Sequence, residues 1–122
     1  MTDEFMLAAI AEARAGFEEG GIPIGSVLTL NGRIIGRGRN RRVQRRDPTA
    51  HAEIECLRDA GRGIRYVETV LYSTLMPCYL CAGAIVQFGI RKVYAGEAST
   101  FTGAMDFMLA RGVEVINMDM DE

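Results

Sequence analysis

The chain has one histidine, one lysine, no tryptophan and three prolines among 122 residues. With His51 as its only imidazole, a metal site built mainly from histidine is excluded, and so is a relay between two histidines. Three cysteines are an odd number, which rules out a closed disulfide framework. No run approaches the roughly 20 apolar residues of a membrane span. Asp3 and Glu4 stand where a secretory signal would carry basic residues. These absences predict a soluble, cytoplasmic protein with no membrane contact, whose cysteines bind metal or do redox chemistry.

What is present fits a single domain over residues 1–122, at 48% hydrophobic and 25% charged residues. The net charge of −2 hides an asymmetry, because seven of the thirteen arginines lie in RIIGRGRNRRVQRR, residues 33–46. Such a run can contact nucleic acid, or it can be a solvated strand edge and loop or a subunit contact. The acidic remainder of the chain argues against nucleic acid as a partner.

Periodicity gives the element order α-β-β-α-β-α-β-α-β. Met6, Leu7, Ile10, Ala13 and Phe17 mark an opening helix that Thr2 or Asp3 caps and Gly20-Gly21 stops. IGSVLTL and RIIGRG flank Asn31-Gly32, a pair suited to the type I′ turn of a hairpin. Asp47-Pro48-Thr49 is expected to begin a second helix reaching Ala60. TVLYSTL is a strand, Pro77 opens a third helix closed by Gly89, and RKVYAG is a strand. GAMDFMLARG is a fourth helix and VEVINM a last strand. The order predicts an α/β fold of three layers, α-β-α, around a five-stranded mixed sheet with an N-terminal antiparallel hairpin. Helix N-termini then gather along one sheet edge, where open α/β folds place ligands.

Two of those helix starts carry metal-capable side chains. His51 and Glu53 open one, Cys78 and Cys81 the other. Inside a helix, residues 51 and 53 would lie about 200° apart, so they can serve one site only at the helix end. One imidazole and two thiolates form a donor set that suits zinc, and helix N-termini stabilise thiolates. Cys56 lies about 7.5 Å further along the helix from His51 and reads as a core residue. That leaves one coordination position open, for a water whose pKa zinc lowers to about 7. Glu53 is then the catalytic carboxylate that moves the proton, whereas Glu55, pointing away from the helix end, reads as surface. One Zn²⁺ per chain with its water or hydroxide is the expected cofactor.

HAEI at 51–54 and PCYLCAGAI at 77–85 carry the H-x-E…P-C-x-x-C signature of zinc nucleobase deaminases, so the chain resembles the cytidine deaminase superfamily over nearly its whole length. Within it, GGIPIGSVL, GRGRN, LYSTLMPC, FGI, GEASTF and ARGVEV resemble the fungal-type cytosine deaminases that act on the free base. The resemblance implies that Asn40 hydrogen-bonds the base, that the Ala52 N–H meets a ring carbonyl, and that Phe101 packs on the ring. It also implies a homodimer. Met76 replaces the serine of the fungal type, and its backbone carbonyl would lie near the departing amino group. The fungal type also continues into a C-terminal lid helix, which residues 1–122 do not include.

The resulting expectation is hydrolysis of a free pyrimidine base, cytosine or isocytosine, to uracil and ammonia. DPTAHAEI also fits tRNA adenosine deaminases and guanine deaminases, which stay as alternatives. A non-catalytic zinc-stabilised binding domain would have no use for Glu53. A thioredoxin-like role for the cysteines would leave both His51 and Glu53 unexplained.

Overall fold

The computed structural model describes residues 3–98 and 103–120. Helix α1 spans Glu4–Glu18, with Asp3 accepting a 2.7 Å bond from the Phe5 N–H at its start. Strands β1 (Gly25–Leu30) and β2 (Arg33–Arg39) form the hairpin. Asn31 and Gly32 have φ of 52° and 78°, the paired positive angles of a type I′ turn. A short helix α2 (Arg42–Arg45) follows, then α3 (Ala52–Ala60), a 3₁₀ turn (Tyr66–Glu68), β3 (Thr69–Leu75) and α4 (Tyr79–Phe88). β4 (Lys92–Glu97), α5 (Met105–Ala110) and β5 (Glu114–Asn117) complete the order.

The five strands lie in the order β2-β1-β3-β4-β5. β1 is antiparallel to both β2 and β3, while β3, β4 and β5 run parallel. Because strand side chains alternate between faces, Leu28, Leu71 and Val93 point to one layer, with Cys56, Leu57, Ile85 and Met108 of α3, α4 and α5. Val27 and Tyr72 point to the other, under Met6 and Ala9 of α1. The expected three-layer α/β fold with its mixed sheet and hairpin is what the chain adopts. Among the described residues no helix is long and apolar enough to cross a membrane.

Two local expectations are corrected. Pro48 does not open the second helix, because Asp47 Oδ1 accepts both the Thr49 N–H (2.9 Å) and its hydroxyl (2.7 Å), and the helix begins only at Ala52. The arginine run also contains α2, which ends at Arg46 with φ of 54°.

A row of small residues crosses four strands beneath α3 and α4. Gly38 pairs with Ser26, Ser26 with Ser73, and Ser73 with Ala95. A Cβ at Gly38 would lie 2.3 Å from the Cys56 nitrogen and 2.5 Å from the Ala52 oxygen. The start of α3 therefore rests directly on the sheet, and the row forms the floor of the site.

Candidate active site

His51 and Cys78 are the N-caps of α3 and α4, both in extended backbone conformation. His51 thus precedes the first helical turn, which is how it shares the helix end with Glu53. Cys81 lies in the first turn of α4 and is fully buried. His51 Nδ1 is 3.4 Å from Cys78 Sγ and 3.6 Å from Cys81 Sγ, and the three donor atoms lie within 4.8 Å of one another. His51 Nε2 sits 3.1 Å from the Pro48 carbonyl. A carbonyl only accepts, so Nε2 carries a proton and Nδ1 is the nitrogen that faces the two sulfurs.

Cys78 is held down to about 5, first by the hydrogen bond from the Cys81 thiol, with the N–H groups of Cys81 and Leu80 and nearby His51 adding to it. The same bond, together with burial, pushes Cys81 up, so Cys78 ionises first. Cys56 is buried away from this group and burial pushes its thiol up, in keeping with a core role. One imidazole nitrogen with its ring fixed by a carbonyl, and two sulfurs at helix starts, fit zinc with one position left over.

Glu53 is buried beside this group, and Ser73 Oγ on the floor donates to its Oε2 at 3.3 Å. Burial raises the Glu53 carboxyl above its ordinary value, and its own backbone N–H pulls the other way. A carboxyl so placed takes and returns a proton more readily than an exposed one. A cavity of about 230 Å³ opens over these groups, lined by Ile24, Asn40, Arg42, His51, Glu53, Leu75, Met76 and Cys78. Asn40 is buried, its Oδ1 accepting from the Arg42 N–H at 3.1 Å and Arg42 Nε at 3.4 Å.

Of the residues expected from sequence, His51, Cys78, Glu53, Asn40 and Met76 line one cavity, and Cys81 lies buried behind it with its sulfur 3.6 Å from His51 Nδ1. Ala52 is the first residue of α3, fully buried, and is not among the residues lining it. Phe101 lies outside the described residues. Sequence reasoning missed Arg42 and Ser73. Arg42 was hidden within the arginine run, although it stands two residues after Asn40, and Ser73 looked like an ordinary strand residue.

Glu55 corrects a third expectation, because it is buried rather than on the surface. Arg41 and Arg45 reach it from the arginine run, and Arg58 from α3. Arg37 and Arg39 of the same run pair with Glu12 and Glu19 of α1.

Residues 1–97 match the family model of the cytidine and deoxycytidylate deaminase zinc-binding region. The chain belongs to this family. It is 38% identical over 117 residues to the cytosine deaminase of Candida albicans, covering 93% of this chain and 78% of that one. A solved structure from a study of A-to-I editing by tRNA:A34 deaminases superposes with a TM-score of 0.82 at 38% identity, covering 92% and 89% of the two chains. The structure of guanine deaminase from Bacillus subtilis gives 0.71 at 32% identity, over 93% and 73%. Other matched relatives are far longer, and the chain spans 8% of one and 18% of another. The protein is a zinc-binding deaminase that hydrolyses a C–N bond of a cyclic amidine, and its family contains enzymes for several bases.

Proposed function

We propose that residues 1–122 act as one catalytic domain that deaminates a free pyrimidine base, cytosine or isocytosine, to uracil and ammonia. The observation that carries this reading is the pairing of the arginine run. Arg37, Arg39, Arg41 and Arg45 are each paired with a carboxylate of α1 or α3. Guanidinium groups so paired are less available to a phosphate backbone, where affinity for nucleic acid originates. The cavity is small and lined by buried Asn40 and Met76, and the cytosine deaminase of Candida albicans is similar over most of its length.

In this reading His51, Cys78 and Cys81 hold the metal. Zinc, when bound, supplies a water acidic enough to ionise near neutral pH. Glu53, with Ser73 holding one carboxylate oxygen, would take a proton from the attacking water as its oxygen bonds to the ring carbon, and would return a proton to the amine nitrogen as the C–N bond breaks and ammonia leaves. Asn40 lines the wall against which the base lies, and Met76 meets the ring near its amino group. The family resemblance adds the N–H of Ala52 and the ring of Phe101 as proposed substrate contacts, the latter outside the described residues. Tyr79, Leu80, Phe88 and Leu109 leave apolar surface exposed on α4 and α5, and such surface supports a homodimer.

Ammonia release from cytosine, isocytosine, guanine, cytidine and adenosine-containing tRNA, with Glu53→Ala as control, tests the reading. Turnover of one pyrimidine base, absent in the variant, is expected. Turnover of tRNA alone, with salt-sensitive affinity, would replace it with the tRNA adenosine deaminase reading that the TM-score of 0.82 favours.

A further inference from the structure

Glu55 takes no part in the chemistry above, yet its surroundings are unusual. Its side chain is 4% exposed and meets three guanidinium groups, Arg41 Nη1 at 3.1 Å, Arg45 Nη1 at 2.9 Å and Arg58 Nη1. A carboxylate withdrawn from water this far needs such partners. Arg58 belongs to α3 itself. Arg41 caps the start of α2 and Arg45 is its last residue, and this single turn has no buried residue. Val43 on that turn is 55% exposed. Apolar packing therefore does not hold α2 in place. Its contacts to the body of the protein include the Arg41 N–H to the Ala50 carbonyl at 2.8 Å and the two ion pairs to Glu55.

The segment so anchored carries part of the active cavity. Asn40 immediately precedes Arg41, Arg42 immediately follows it, and both line the cavity. Asn40 Oδ1 accepts from the first N–H of α2, so a shift of the turn moves the side chain that meets the substrate. The metal-binding and proton-moving groups are held differently, His51 by the Pro48 carbonyl and Glu53 by Ser73.

We infer that Glu55 is a positioning residue, whose carboxylate clamps α2 through Arg41 and Arg45 and so fixes Asn40 and Arg42 at the cavity wall. The inference rests on the proposed role of Asn40 as a substrate contact. It makes Glu55 a determinant of substrate affinity and leaves proton transfer to Glu53. Arg58 steadies the carboxylate from within α3 and does not reach the clamped turn.

The test uses the zinc-loaded protein with cytosine. Glu55→Gln should raise KM about tenfold while kcat stays within twofold, a loss of about 1.4 kcal/mol in binding, with bound zinc unchanged. Amide hydrogens of Arg41, Arg45, Arg46 and Asp47, all bonded within or beside α2, should exchange faster. Those of Ala82 and Ile90 in and after α4 should not change. The Arg41→Ala/Arg45→Ala double variant should reproduce both effects and serves in place of Glu55→Gln if that protein does not fold. Arg58→Ala should lower Tm and leave KM alone. A lowered Tm with KM and exchange unchanged in the clamp variants would reduce Glu55 to a structural group and overturn the inference, as would a KM change that follows zinc loss. Asn40→Ala separates the two readings. If it leaves KM unchanged, the substrate role of Asn40 fails, while the exchange result still reports on the clamp.

Discussion

Gly38→Ala puts the assembly of the site under direct strain. Gly38 lies on β2 beneath the first turns of α3, and its new Cβ would sit 2.3 Å from the Cys56 nitrogen, 2.5 Å from the Ala52 oxygen and 2.8 Å from the Glu55 carbonyl carbon. All three are backbone atoms, so no side-chain rotation relieves the clash. Restoring an ordinary separation of about 3.5 Å requires α3 to lift from the sheet by about 1 Å. Overpacking of this kind costs about 1–3 kcal/mol, and rigid backbone on both sides places it near the upper end. A domain of this size should then lose roughly 10 °C in Tm. The helix that lifts carries His51 and Glu53, whereas Cys78 and Cys81 ride on α4. The 3.4 Å and 3.6 Å separations across the site therefore cannot be kept. A misplacement of about 1 Å at reacting groups costs on the order of a hundredfold in rate. Thermal unfolding, zinc per chain and kcat/KM for ammonia release measure the three consequences. Gly83→Ala is the counterpart on α4, where an added Cβ meets nothing within 4 Å. It should gain about 0.5–1 kcal/mol of stability with turnover intact. A Gly38→Ala protein with wild-type Tm and turnover would refute the close packing of α3 on β2.

Further outcomes are expected at the metal group and beneath it. Cys78→Ala and His51→Ala should lose stoichiometric zinc and unfold at lower temperature, and a chelator should lower the wild-type Tm as well, because metal binding is coupled to folding. In metal-free protein at pH 7, iodoacetamide should alkylate Cys78 first, since its thiol is lowered to about 5, and should leave buried Cys56 unmodified; peptide mass spectrometry reads this, and zinc should protect Cys78. Glu53→Gln should keep fold and zinc while kcat falls about 10²–10⁴-fold in steady-state assays. Ser73→Ala should lower kcat about tenfold, the scale of one hydrogen bond of about 1.4 kcal/mol. KM should stay unchanged, and Ser73→Thr, which keeps the hydroxyl, should recover turnover.

Much of this architecture was legible because it rests on local rules. Asn31-Gly32 fixes a hairpin through its own backbone preferences, and β3 was legible from Thr69 to Leu75 because apolar and β-branched residues crowd there. Pro77 before Cys78 marked a helix start with its metal-binding face. The misreadings share one cause, a partner distant in sequence or a competing side chain. Asp47 captured Thr49 and delayed the helix that Pro48 seemed to begin. Glu55 looked exposed because its burial depends on Arg41 and Arg45, which come from another element. In GRGR, residues 36–39, alternation sends the glycines toward α3 and the arginines toward Glu12 and Glu19 of α1, a division that only the folded sheet reveals.

The strand order has a consequence for how the protein matures. β1 and β3 are neighbours in the sheet although β2, α2 and α3 separate them in sequence, and the bonds between them join residues 41 and 49 positions apart. His51 and Glu53 emerge before β3 during synthesis, and Cys78 and Cys81 emerge after it. Loop-closure entropy therefore has to be met before the two halves face each other, and neither half is a metal site alone. Metal capture by a nascent chain thus waits on the central strand and reports that the starts of α3 and α4 have met across it.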